Sequence, residues 1–275
     1  MESGFRTHLL MVKRTAAVLL LCLPVLSARA QDALINFSDA IHPPADTELM
    51  RWHEVFTYEV RYSIFKLGEV KVEVVRDTVY QGKKGWHLRT IITSSPGIPF
   101  VGREENHYNS IFELTEDLPH TLVYWTDNVD EGKYDESRYR YDYERNKVFA
   151  REEEEADTLD LEEPASSGQL IFIISRLYAG TNETFKIPIF LNLEKGYIEV
   201  ANSTEKEERE YAAFPEPVET YYSEGSSTIE GPFGFRGDFK SWYLADNLRV
   251  PLEAHVRVWL GNVRIKLIDY KKELW

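Results

Sequence analysis

The 275-residue chain is almost free of cysteine, with Cys22 the only one. One cysteine excludes any intrachain disulfide, and because Cys22 falls in the apolar N-terminal run expected to be cleaved as a signal, no thiolate metal site or cysteine nucleophile is expected either. Basic residues are also in short supply: 32 Lys and Arg stand against 46 Asp and Glu, for a formal net charge of −14. Such a balance disfavours nucleic acid and anionic membrane surfaces, both of which are bound through basic patches. Beyond the N-terminal region no apolar run approaches the roughly 18 residues of a membrane helix. Gly-x-Ser-x-Gly elbows and Gly-rich phosphate loops are missing too, so the motif-borne nucleophilic and phosphate chemistries find no support.

The one sustained apolar run lies at the start. Arg6, Lys13 and Arg14 form a positive n-region, Thr15 to Leu26 an apolar h-region, and Ala28-Arg29-Ala30 a small-x-small cleavage site before Gln31. This is the pattern of a secretory signal over residues 1–30. Cys22 comes after Leu21, where a bacterial lipoprotein would need a small residue, so cleavage after Ala30 is expected rather than acylation. The chain therefore reads as exported, periplasmic or extracellular. The remaining 245 residues would carry a charge near −17 and no cysteine, leaving the hydrophobic core alone to hold the fold. Asn36, Asn182 and Asn202 open glycosylation sequons, which matter only where the host secretes through an endoplasmic reticulum.

Past the signal, the chain is rich in alternation. Residues 31–51, with Pro43-Pro44 and no period, read as a flexible or loosely docked lead-in. Residues 52–275 read as a single β-rich domain. Phe56, Tyr58, Val60 and Tyr62 alternate with polar residues, as do Trp86, Leu88, Thr90 and Ile92, and Tyr139, Tyr141 and Tyr143 share one face of a further strand. Strands are also expected at Val70 to Val75 after a Gly68-Glu69 turn, and at His107 to Leu114, Thr121 to Trp125, Val148 to Ala150, Phe185 to Leu191, Tyr197 to Ala201, Val218 to Ser223 and Phe239 to Leu244. The most regular stretch is Arg249 to Tyr270, read as a hairpin about a Gly261-Asn262 turn. That turn would set Val256 opposite Leu267 and Arg257 opposite Lys266, a like-charge pair calling for an acidic neighbour or open solvent. Leu67 to Val75 faintly echoes Leu260 to Ile268, as hairpins with glycine turns often do.

Three stretches break the pattern. The acidic run Glu152 to Glu163 reads as a solvated, mobile loop, and Thr204 to Glu210 as an exposed charged turn. Gly225 to Gly237 reads as a Gly-rich loop around Phe233 and Phe235. Between Ser166-Ser167, which can cap, and Gly180, which can terminate, the apolar run through Leu170 to Tyr178 predicts one buried helix near 168–179. The expected fold class is mainly β: an antiparallel curled sheet or barrel with that helix packed on it.

Certain words in this order resemble a known family. Leu67-Gly68-Glu69 after a Tyr-rich strand, Arg176-Leu177-Tyr178 closing the apolar run, Trp242 to Pro251 (WYLADNLRVP) and Leu260-Gly261-Asn262-Val263 are similar to the exported bacterial proteins of domain-of-unknown-function family 3108. The resemblance spans Val55 to Tyr270 and implies a secreted, mostly antiparallel β protein. It implies no activity and no site residues.

The chemistry searched for is sparse. His42, His53, His87, His107, His120 and His255 lack the i, i+4 spacing of a helical zinc site, and Glu152 to Asp160 lacks the spaced Asp, Asn and Gly of a calcium loop. No catalytic, cofactor or metal residue is therefore assigned, and no cofactor is expected. The tyrosine ladder, with Trp242, Trp259 and Trp275, suggests ordinary sheet packing first and ligand stacking second. The leading functional reading is a non-enzymatic envelope protein binding an apolar or amphipathic molecule between sheet and helix. The alternative is an envelope scaffold acting through a sheet edge or the tyrosine ladder, and behind it a polysaccharide hydrolase with two close carboxylates.

Overall fold

In a computed structural model, residues 42–95, 104–116, 118–231, 236–258 and 261–275 are described. The signal expected over residues 1–30, Trp259-Leu260 and the Phe233 and Phe235 positions lie outside them. The described residues form one fourteen-stranded antiparallel sheet: β1 (Trp52–Tyr62), β2 (Phe65–Tyr80), β3 (Lys83–Ser94), β4 (Glu105–Glu113), β5 (His120–Asn128), β6 (Lys133–Asp142), β7 (Lys147–Glu152), β8 (Glu155–Asp160), β9 (Thr184–Leu191), β10 (Glu194–Arg209), β11 (Val218–Ser227), β12 (Gly237–Leu244), β13 (Pro251–Val258) and β14 (Gly261–Leu274). Every pair of sequence neighbours is hydrogen-bonded except β8 and β9, which are the two edges, and β1 closes on β14 at the centre. The sheet is thus a long meander whose cut falls between β8 and β9, and it curls without closing.

The curl brings the edges back toward each other. The Tyr139 hydroxyl accepts from the Leu193 amide at 2.9 Å, and Tyr141 meets Phe190 edge-on at 5.9 Å between centroids. Lys195 pairs with Glu162 at 3.0 Å, and Ser166 bridges Ile189 in parallel. The tyrosine ladder is therefore a seam: Tyr139 and Tyr141 are buried with Val148, Ala150 and Phe190. Sheet packing, rather than ligand stacking or a docking face, is what those rings do. Trp242 and Trp275 sit among different neighbours, Trp242 beside Tyr222 and His255, Trp275 beside Trp86 and His53.

The lead-in is partly docked: α1 (Asp46–Leu49) places Leu49 and Met50 in the main core. The expected helix is three short pieces rather than one. A 3-10 turn over Gly168–Leu170 runs into α2 (Ile171–Ile174) and a second 3-10 turn over Ser175–Leu177. Ser167 makes no side-chain cap; its hydroxyl goes to the Ser110 hydroxyl at 2.6 Å instead. A run of isoleucines is a modest helix former, and the segment's shape is set by its packing: Leu170, Ile173 and Ile174 are buried in that same core, and Gly180 at φ +81° ends it against Tyr221.

Two polar stretches expected outside the sheet are strands. Residues 155–160 of the acidic run form β8, an edge strand exposed along nearly its whole length and paired only to β7. With both faces wet, nothing imposes a hydrophobic period. Thr204 to Arg209 continues β10 past a bulge between Asn202 and Lys206. Its charges have distant partners: Arg209 reaches Glu253 at 2.9 Å and lies 4.2 Å over the Trp242 ring.

The final hairpin pairs two residues earlier along each strand than its Gly-Asn signal suggested. Val256 faces Val263, Arg257 faces Asn262 and Val258 faces Gly261, so Gly261 and Asn262 are paired residues of β14 rather than the turn. An even displacement keeps every side chain on its face. It also separates the like charges, since Lys266 lies between Glu253 on β13 and Glu59 on β1.

Gly68 also lies inside β2, not in a turn, which falls earlier at residues 63–64. Its place is fixed by close approach: a Cβ there would press on the Thr93 carbonyl oxygen and come within 3.2 Å of the Ser94 Cα. Both are backbone and cannot swing aside. Gly68→Ala is expected to lower the stability of the sheet by about 1–3 kcal/mol, the usual range for overpacking. Urea unfolding measures it, and a loss under half of the lower figure would show that the β2–β3 approach relaxes freely.

Candidate functional site

The polar residues of the family-like words converge under the helical segment. Arg176 is 1% exposed and lies against Glu54 of β1, with Nη1 to Oε2 at 2.8 Å and Nη2 to Oε1 at 3.1 Å. Its Nε donates to the Leu248 carbonyl at 2.8 Å, and the Tyr270 hydroxyl donates to Glu54 at 2.6 Å. Burial would lower the Arg176 pKa, but the adjacent Glu54 carboxylate more than offsets it and holds the guanidinium above its ordinary value. Burial pushes the Tyr270 and Tyr58 hydroxyls well up, keeping them protonated donors.

Beside this pair sits the β12–β13 connection. Arg249, in the left-handed region at φ +50°, is fully buried, donates Nε to the Ala179 carbonyl at 3.0 Å, donates Nη1 to the Asp246 carbonyl, and lies 4.6 Å over the Tyr221 ring. Asp246 is fully buried as well; Oδ1 accepts from the Leu248 amide at 3.1 Å, while Oδ2 has no hydrogen-bond partner among the described residues. Desolvation raises its pKa to about 6, against the pull of Arg176. These groups are sealed from solvent, so their work is to lock the helical segment and the connection onto the centre of the sheet.

Solvent-facing chemistry gathers elsewhere, on the outer face of the half-sheet from the end of β2 to β8. Alternation that buries Tyr139 and Tyr141 turns Arg138 and Arg140 outward. Arg138 faces Arg151 directly on β7, and Arg140 faces Phe149, over whose ring it lies at 4.1 Å. With Tyr80, Thr158 and the one carboxylate of the lining, Asp157, these four line an open depression of about 470 Å³. Asp135 holds the arginine pair, Oδ1 to Arg138 Nε at 2.5 Å and Oδ2 to Arg151 Nη2 at 3.0 Å. Arg140 has a longer contact to Asp142 at 3.3 Å. Among the described residues no group takes the terminal nitrogens of Arg138, which lies 5.7 Å over the Trp125 ring. Trp125 in turn stacks on His87 at 5.4 Å, and His87 bonds Asn109 at 2.9 Å. Desolvation lowers the His87 pKa, so it is a neutral neighbour of the arginines.

Five of the described histidines meet a glutamate or Asn109 on sheet faces: His53 with Glu273, His87 with Asn109, His107 with Glu105, His120 with Glu113 and His255 with Glu253. Among the described residues no group of three His, Cys, Asp or Glu could hold a metal ion. The depression was the part sequence reasoning missed, and its signal was present: the alternation that singled out the tyrosines carries arginines on its other face.

Known proteins bear on the fold alone. The chain is similar to a β-barrel-like protein of domain-of-unknown-function family DUF1849 from Brucella abortus, with TM-score 0.50, 11% identity, and 82% of this chain and 97% of that chain covered. A Bacteroides fragilis protein with a YmcC-like fold aligns at TM-score 0.36 and 9% identity, over 84% of this chain and 98% of that one. No curated protein matches the sequence. The family model described as "Protein of unknown function (DUF3108)" matches residues 57–268, most of the chain and nearly all of the sheet, and the chain therefore belongs to the DUF3108 family.

Proposed function

We propose that this is an exported, non-enzymatic binding protein that holds an amphipathic anion on its curled sheet, in the depression of Arg138, Arg140, Arg151 and Phe149. The observation that carries this reading is the directly opposed Arg138–Arg151 pair in a chain of net charge −14. Like charges across a ladder are unfavourable; Asp135 bridges this pair and the Asp135, Glu136 and Glu153 carbonyls take the Arg151 nitrogens, so among the described residues it is the terminal nitrogens of Arg138, over the Trp125 ring, that are left without an acceptor. An acidic head group would satisfy those nitrogens, and an apolar body would lie on Phe149 and Tyr80. The space between sheet and helical segment is a poorer place for a ligand, since Leu170, Ile173, Ile174 and Arg176 fill it. The sheet-edge alternative has less support: β9 carries Pro188 and is bridged by Ser166, and β8 is acidic.

The test is native mass spectrometry of protein taken gently from its own cells, with titration by anilinonaphthalene sulfonate, an aromatic anion. A bound acidic amphiphile is expected, and Arg138→Gln with Arg140→Gln should weaken probe binding about tenfold or more, the worth of a lost charge-assisted hydrogen bond. A bare mass together with probe binding indifferent to both arginines would end the proposal.

A further inference from the structure

Register sets basic side chains in one line across five adjacent strands. Lys66 on β2 faces Arg61 on β1, Arg61 faces Arg264 on β14, Arg264 faces His255 on β13, and His255 faces Lys240 on β12. Directly opposed Cβ atoms lie about 4.5–5.5 Å apart, a spacing at which like charges are destabilising. The net charge of −14 rules out a surplus of basic residues as the cause. Neighbouring acids meet four of the five: Glu59 pairs with Arg61 at 2.8 Å, Glu69 with Lys66 at 2.6 Å, Glu253 with His255 at 2.7 Å and Glu224 with Lys240 at 3.0 Å. Arg264 is exposed and has no acidic partner among the described residues.

The line runs beneath an apolar tip. In the β1–β2 turn, Ile64 is 74% exposed and Phe65 is 64% exposed. Arg61 donates Nη2 to the Ile64 carbonyl at 2.8 Å, which fixes a guanidinium directly below the tip.

We infer that this end of the sheet docks on a lipid surface bearing anionic headgroups, with Ile64 and Phe65 entering the acyl boundary and the Lys66–Arg61–Arg264 line lying at headgroup depth. Charge complementarity selects that occupant. Two adjacent apolar side chains are far too few for a protein interface, which buries about 800 Å² on each partner. Interfacial insertion needs only a few, combined with attraction to acidic lipid. A nucleic acid would use the cations but leave Ile64 and Phe65 in water. The overall negative charge makes the attraction local, so it acts at contact and fades with salt. The site is separate from the arginine-aromatic depression.

The experiment is co-sedimentation of protein from its own cells with vesicles of phosphatidylcholine, alone or with about two lipids in five replaced by phosphatidylglycerol, in about 0.05 M and about 0.5 M salt. Partition onto the acidic vesicles should exceed that onto neutral ones at least about tenfold at low salt and be lost at high salt. Ile64→Ser with Phe65→Ser, and separately Lys66→Gln with Arg264→Gln, should each lower it about tenfold. The second pair relieves like-charge opposition, so its thermal midpoint should not fall, and Arg264→Lys should keep binding. Arg138→Gln with Arg140→Gln should leave partition unchanged, which separates this site from the depression. Equal partition onto both vesicle types, or partition indifferent to tip and line variants, overturns the inference.

Discussion

Arg176→Met is expected to cost about 3–5 kcal/mol of folding stability, because it leaves the Glu54 carboxylate buried with its counter-charge gone. Glu54 is 2% exposed, and after the substitution only the Tyr270 hydroxyl would remain on it. The same change frees the Leu248 carbonyl, which accepts Arg176 Nε. Methionine keeps much of the apolar volume, so the loss is electrostatic rather than a cavity. Adding Glu54→Gln removes the stranded charge while keeping an acceptor for Tyr270. The double variant should therefore recover more than about 1 kcal/mol over Arg176→Met alone, a coupling typical of residues in direct contact. Urea unfolding of the four proteins of the cycle gives the number. Additive losses, or a single-variant loss under about 1 kcal/mol, would mean that water reaches Glu54 and that the lock is not dry.

This pair also shows where sequence reading stops. Arg176-Leu177-Tyr178 and the Asp246 to Pro251 stretch were legible as family words, yet their partners lie 122 and 72 residues away, Glu54 for Arg176 and Leu248 for its Nε. Only the meander, which sets β1 against β14 at the centre, brings Glu54 and Tyr270 together. The strands themselves were legible where one face is buried and the other wet, as along Phe56, Tyr58 and Val60. They were illegible where that contrast fails. Edge strand β8 is wet on both faces, and the outer half of β10 carries charges that are satisfied by Glu253 and Trp242 across the sheet. The helical segment misled for the opposite reason: its apolar residues report burial, and burial alone does not distinguish an α-helix from short 3-10 pieces held by Arg176. The depression was hidden behind the tyrosine pattern, since Tyr139 and Tyr141 face the core only because Arg138 and Arg140 do not.

Asp246 supplies the second large effect, through pH. Its pKa rises from the ordinary 3.8 to about 6 in the folded chain, chiefly through desolvation, with Arg176 pulling the other way. A group whose folded pKa lies above its unfolded one holds its proton more tightly when folded. Its stabilisation is fully present below about pH 4 and is lost as pH rises through about 6. A shift of that size corresponds to about 3 kcal/mol at neutral pH. Glu73 and Glu253, whose pKa values are lowered by their cationic neighbours against burial, contribute with the opposite sign, so the signal lies in the difference between two proteins. Asp246→Asn keeps an acceptor for the Leu248 amide and mimics the protonated acid. It should match the parent near about pH 4 and exceed it by about 3 kcal/mol near about pH 7.5, the gain appearing between these limits. Chemical denaturation across that range measures it. If Asp246 were instead a working counter-ion for Arg176 and Arg249, Asn would destabilise most at neutral pH, and the difference would run the other way. The unpartnered Oδ2 favours the first outcome: an ionised carboxylate in that place would leave half its charge without a donor.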